Sequence, residues 1–281
     1  MQKTLFVLLT SLFLSAQISF SQTVEETLQF AEEQFNLGNY TNSVLAYERA
    51  IYFEENTTAE TYFKLANAYF SIGDVDRAAR FYDNATFLEK DNDKRNEIIF
   101  KKCLAYLSTN QYNQAIISLG SINDFNNSEA KLKKQYFKSI AYFLKEDFDQ
   151  FELLFDEYAT NLNLASNQHY IDLETYNLKA DKVKPKLAMW MSVFVPGSGQ
   201  ILYGNWKDGL NSMALTAALV GLYFNYVIEF SLVEGYLVVL PWFQRYHKGG
   251  YLKAKETALK KQREYRGKAY AEILQLHPAL F

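Results

Sequence analysis

Residues 59–85 read AETYFKLANAYFSIGDVDRAARFYDNA. Within them Leu65-Ala66, Tyr69, Gly73-Asp74-Val75, Ala78, Tyr82 and Ala85 spell out helix, tight turn, helix. Apolar residues recur at three- and four-residue spacing on both sides of Gly73, the residue type that adopts positive φ at least cost. The same grammar recurs three times. Ala31, Gly38-Asn39-Tyr40, Tyr47 and Ala50-Ile51 precede it. Cys103, Tyr106, Asn110-Gln111-Tyr112, Ala115 and Leu119 follow, and then Ser139, Tyr142, Glu146-Asp147-Phe148 and Phe155. The turns at Gly38, Gly73, Asn110 and Glu146 are 35, 37 and 36 residues apart. A fixed period of that size marks stacked supersecondary units rather than one compact core. Small residues such as Ala66, Cys103 and Ser139 let paired helices approach, while Tyr69, Tyr106 and Tyr142 fill the gap to the next unit. The fourth unit departs from the pattern at Glu146 and Phe151, as terminal capping units do.

This pattern resembles the tetratricopeptide repeat family. The resemblance implies an all-α fold, a TPR-like α-solenoid of three to four helix–turn–helix repeats, over residues 22–160. It also implies that the first helix of each unit lines a concave groove. In the family register one row holds Leu28, Phe63, Phe100 and Tyr136, and a second holds Phe35, Phe70, Leu107 and Phe143. Two apolar rows on a groove read as a surface for a protein partner. Glu25, Glu32, Glu60 and Glu97 nearby favour a basic one. The alternative occupant is the chain's own segment near 160–182, where Tyr170, Leu173, Tyr176 and Leu178 have helical spacing. Cys103 stands at a small packing position and reads as a buried, inert thiol.

Composition sets the frame. The 281 residues include 22 Phe and 21 Tyr, enough aromatic mass for a large helical core. The net charge of -3 hides an asymmetry. Acids outnumber bases 25 to 14 between residues 22 and 178, and bases outnumber acids 9 to 2 between 245 and 268. Lys3, the apolar run Leu5 to Leu14 and Ser19-Phe20-Ser21 form an export signal over residues 1–21. The single cysteine excludes an intramolecular disulfide.

Beyond a helical linker or cap at 161–184, the character changes. Leu187 to Val195, Leu210 to Phe230 and Leu232 to Phe243 are apolar runs, with Trp190, Trp206 and Trp242 at their ends as an interfacial belt requires. The competing reading, a buried soluble core, draws on the cost of Glu229 and Glu234 in lipid. The stretch Pro196-Gly197-Ser198-Gly199-Gln200, with Tyr203 and Gly204, and the later Arg245-Tyr246-His247-Lys248-Gly249-Gly250-Tyr251, resemble a bacterial membrane module built on a P-G-x-G-Q-x-Y-x-G core. The resemblance covers about residues 185–262 and implies location rather than chemistry, for a helical membrane module at 185–248; the lysines and arginines of a basic helical tail at 249–281 suit anionic lipid or, alternatively, a solvated charged helix. Gln200 is expected to bond backbone groups freed by Pro196. The spacing of the glycines is wrong for a phosphate-cradling loop.

No catalytic set is legible. His169, His247 and His277 lack metal-ligand spacing, and no nucleophile elbow or phosphate loop occurs. The sequence therefore predicts a protein that is not an enzyme, with no cofactor, no metal, no nucleic acid and no small-molecule substrate. The expected partners are a protein and membrane lipid, with the protein exported to the bacterial inner membrane and its repeats in the periplasm. The competing function is an accessory subunit of membrane transport or membrane-protein insertion, with Gln200, Glu229 and Glu234 as its polar groups.

Overall fold

The computed structural model describes residues 23–54, 56–122 and 127–276. The expected signal peptide at 1–21 and His277 lie outside these residues. Among the described residues every regular element is a helix. The chain divides into two compact units at Tyr158.

In the first unit, α1 (Val24–Asn36) and α2 (Tyr40–Phe53) form one hairpin, α3 (Ala59–Ser71) and α4 (Val75–Leu88) the second, α5 (Asn92–Ser108) and α6 (Tyr112–Gly120) the third. The fourth is α7 (Ser128–Leu144) with α8 (Phe148–Asn161). From α1 to α7 each helix packs on its chain neighbour, as a solenoid requires. The starts are written in side chains. Thr23 and Glu26 make a reciprocal capping box on α1, and Thr58, Asp74, Asp91 and Asn127 each accept a backbone N–H of the helix they precede.

All four inter-helix turns use one device. Gly38, Gly73, Asn110 and Glu146 have φ of 78, 82, 61 and 64°. In each, the following amide donates to a carbonyl five residues back, Asn39 to Gln34, Asp74 to Tyr69, Gln111 to Tyr106 and Asp147 to Tyr142. Glu146 therefore keeps the left-handed turn without glycine, at a cost of about 1 kcal/mol.

The small residues Ala31, Ala66, Cys103 and Ser139 are all fully buried. Ser43 strengthens the first hairpin by donating its hydroxyl to Ala31 O at 2.8 Å inside it. In the fourth repeat Phe151, at the position expected to be small, is buried. Phe143 meets it edge-on at 4.9 Å and Phe155 stacks on it at 5.1 Å, so that hairpin packs through rings instead of backbone proximity.

The second unit contains α9 (Gln168–Lys182), α10 (Pro185–Phe194), α11 (Ser198–Leu202), α12 (Trp206–Glu229) and α13 (Leu232–Leu276). Pro185 opens α10 at its first turn, where a missing N–H costs nothing. The 45 residues of α13 make a rod of about 68 Å. It runs unbroken through Pro241, Gly249 and Gly250, so residue 249, the expected start of a separate tail, is not a helix end.

The distal half of that rod is occupied. Antiparallel to it, α9 buries Leu173, Asn177 and Ala180. Gln262 Nε2 donates to Ala180 O at 3.2 Å, and Arg266 bonds Asn177 Oδ1 at 2.6 Å and Asp181 Oδ1 at 2.5 Å. His169 Nδ1 lies 2.7 Å from Glu272 Oε2. Of the segment considered as a plug for the repeat groove, Leu173 is buried in this pairing while Leu178 is exposed.

Candidate functional site

The first helices of all four repeats face one cavity of about 950 Å³. From α1 come Glu32, Phe35 and Asn36, and from α3 Glu60, Phe63, Lys64 and Asn67. From α5 come Asp93, Glu97 and Phe100, and from α7 Glu129 and Lys133. The register follows from the helical period: residues three and four apart share a face, so the caps that fix each helix start also fix which side chains look inward.

The expected apolar rows separate. Phe35, Phe63 and Phe100 line the cavity. Phe100 is nevertheless buried, with the Lys133 ammonium 4.5 Å from its ring centroid. Leu28 and Phe70 are half-buried against the core of the first two repeats, and Leu107 against that of the third. Tyr136 and Phe143 are buried, and none of these five lines the cavity. The physical reason is that large apolar side chains at this period close the joints between units. The free wall falls to the intervening positions, where the sequence carries Glu, Lys and Asn.

Those polar residues are ordered. Lys64 bridges Glu32 at 3.0 Å and Glu60 at 3.1 Å, and Lys133 reaches both oxygens of Glu97 at 2.7 and 2.9 Å. Burial works against the Lys64 charge, but the two carboxylates more than offset it and hold its pKa above the usual range. Asn127 donates to Asp93 at 2.7 Å, and the Tyr82 hydroxyl donates to Asn67 Oδ1 at 2.6 Å. The lining carries six carboxylates, Glu32, Glu60, Glu89, Asp93, Glu97 and Glu129, against Lys64, Lys94 and Lys133. With two of the three lysines already paired, the cavity presents net negative charge.

The second unit holds a buried polar knot at the Pro196–Gly204 turn. The Gly199 amide donates to Ser192 Oγ at 2.9 Å, the Ser192 hydroxyl donates to Gln200 Oε1 at 3.0 Å, and Gln200 Nε2 donates to Gly250 O at 2.8 Å. Gln200 and Ser192 are fully buried. Gln200 therefore bonds α10 and α13 rather than groups freed by Pro196. The turn after Pro196 closes on itself instead, Ser198 N–H to Val195 O at 3.1 Å and Ile201 N–H to Gly197 O at 3.2 Å.

Glycine makes the approach possible. A Cβ on Gly197 (φ 88°) would fall 2.0 Å from Gly209 O, and one on Gly199 2.1 Å from Ala188 O. Gly204 has φ 90° with open space around it, so it serves the turn alone. The Tyr203 hydroxyl accepts the Lys184 amide at 2.9 Å. Ser192, Gly209 and Gly250 belong to this knot; Gly250 falls in the Arg245–Tyr251 stretch of the module resemblance, but nothing in the sequence pairs it with Gln200 or Gly209 with Gly197. The only signal for the glycines was their small size at helix positions facing others.

From this knot α12 and α13 run out as a hairpin. Along α12 only Gly209 and Thr216 are buried. Leu210, Leu215, Val220, Leu222, Phe224 and Ile228 on α12, and Leu232, Val233, Leu237 and Trp242 on α13, are exposed. Among the described residues, α12 is the one helix long and apolar enough to cross a membrane.

The tetratricopeptide repeat profile matches residues 59–92, the second of the four repeats. Such a repeat is a protein-interaction module. No curated protein matches the chain.

Proposed function

We propose that the protein is a non-enzymatic scaffold of the bacterial envelope: its repeats hold a segment of a protein partner, and its second unit tethers that assembly to the inner membrane. The observation that carries this reading is the 950 Å³ cavity walled by four repeat helices. Its size suits a peptide segment, Phe35 and Phe63 offer apolar contact, and its carboxylate excess favours a cationic occupant. The membrane reading draws on the hairpin. A helix in a soluble core hides its apolar side chains, whereas α12 leaves nearly all of its own open. The segment 1–21 directs the repeats to the periplasm, since long domains translocate regardless of their charge.

Photo-crosslinking in cells tests the groove. A photoreactive residue in place of Asn36, which lines the cavity, should yield a discrete adduct. The same residue in place of Tyr52, which is exposed and does not line it, should not. Glu129→Lys, which reverses one wall charge and breaks no ion pair among the described residues, should weaken the Asn36 adduct. Equal adducts from both positions, or indifference to the charge reversal, would refute groove binding.

A further inference from the structure

Several contacts fix the register of the α12–α13 hairpin. Lys253 Nζ meets Asp208 Oδ2 at 3.0 Å at its open end. Next to that pair, a Cβ on Gly250 would lie 2.5 Å from Ser212 Oγ. Near the tip, one on Gly235 would lie 3.0 Å from Val227 and 3.4 Å from Tyr223 O. These levels pair symmetrically about Phe230–Ser231, where the backbone turns (Phe230 φ -125°, ψ -87°). Each arm, 208–229 and 232–253, is then about 33 Å long, against a hydrocarbon layer of about 30 Å.

The polar groups are sorted by end. At the closed end, exposed Glu229 and Glu234 flank the turn. At the open end are Lys207 and Lys253, with Trp206 exposed beside them, while Lys248, Arg245 and exposed Trp242 lie about 8, 12 and 16 Å along α13 toward the turn. A carboxylate is costly inside lipid, so the closed end has to reach water on the far face. Arg245 and Lys248 lie nearer the open end, and their long stems let the charges extend toward the entry face.

Beyond the open end, the chain before the hairpin and the chain after it are bonded together, as Arg266 to Asp181 and Gln262 to Ala180 show. Resting on the membrane reading above, we infer that α12 and the first half of α13 cross the bilayer as a two-pass hairpin, so that α9 and the C-terminal half of α13 share one side, where Lys207 and Lys253 meet phospholipid head groups. The lipid is the occupant of the hairpin's outer apolar face. The matching arm lengths and Trp206 at the open end point to it.

Single cysteines in the full chain test the arrangement: Ser166→Cys before α9, Glu234→Cys at the closed end and Glu256→Cys beyond the open end. All three positions are exposed, and buried Cys103 stays in place as an unlabelled reference. A membrane-impermeant maleimide is applied to sealed vesicles of each orientation, with an alkaline carbonate wash in parallel. The expected result is that Ser166→Cys and Glu256→Cys label from one side and Glu234→Cys from the other, with the protein retained in the pellet. Pellet retention with Ser166→Cys and Glu256→Cys on opposite sides, or with Glu234→Cys on the same side as both, overturns the two-pass hairpin alone. Release of the intact chain into the wash overturns the membrane reading as well.

Discussion

Gln200→Met tests the buried knot, because Met matches the length of Gln and deletes both of its hydrogen bonds. The carbonyl of Gly250 sits inside α13, so its loss is one bond, about 1 kcal/mol. The Ser192 hydroxyl loses its acceptor in a fully buried site, which costs about 1–3 kcal/mol. The sum is about 2–4 kcal/mol, a fall of about 5–15 °C in the melting temperature for a chain of this size. Thermal unfolding of the detergent-solubilised full-length protein reads it. Ser192→Ala completes a double-mutant cycle: if the hydroxyl and the amide act through each other, the double variant should lose less than the two single losses combined, with coupling of about 1 kcal/mol or more. A melting temperature within 1–2 °C of the parent, or strictly additive losses, would show that the knot does not hold α10, α11 and α13 together.

Three further outcomes follow from the same geometry. Gly197→Ala should abolish accumulation of folded protein, since its Cβ would lie 2.0 Å from a backbone oxygen, whereas Gly204→Ala should cost only the left-handed backbone penalty of about 1 kcal/mol; comparable yields of the two would contradict the close approach. The Arg77 amide and then its guanidinium hold the Asp74 carboxyl below the ordinary carboxylate range, so this cap stabilises the fold at neutral pH and the contribution is lost as pH falls through the lowered value. Asp74→Ala should therefore cost about 1 kcal/mol at pH 7, with the gap to the parent closing in acid below the ordinary carboxylate range, as chemical unfolding over pH can follow. Burial pushes the Cys103 thiol up to about 12, so it should resist alkylation at pH 8 in the native protein and react fully in denaturant; ready native labelling would place it outside the hairpin joint.

The repeats were legible because their signals are local. Gly38 and Gly73 mark turns by a backbone property only glycine supplies cheaply, and Ala31 and Ala66 mark joints by size. Glu146 was the harder case, since a non-glycine residue takes the same φ and only the repeat period points to it. The groove was legible as a place but not as a surface. Rows such as Leu28 and Phe70 are apolar because they seal units together, while the cavity wall is built from Glu32, Lys64 and Asn67, whose polarity alone does not separate a lining from a solvated rim. In the second unit the Pro196–Gly204 motif stood out, but its partners did not. Gly250 lies fifty residues from Gln200, and nothing in the spacing of a 45-residue helix says which carbonyl a distant amide will find. The same holds for the basic stretch after Lys253. Its charge suggested a free lipid-facing helix, whereas Arg266 is bound to Asp181 and Asn177 on α9.

Extraction of cell membranes at alkaline pH bears on all of this at once. On the proposed membrane reading lipid covers the exposed leucines, valines and phenylalanines of α12 and α13, so the full-length chain should stay in the sedimented bilayer after a carbonate wash. Recovery of the intact chain in the supernatant would mean that water, or another protein, covers that hairpin, and the tethered scaffold would have no tether.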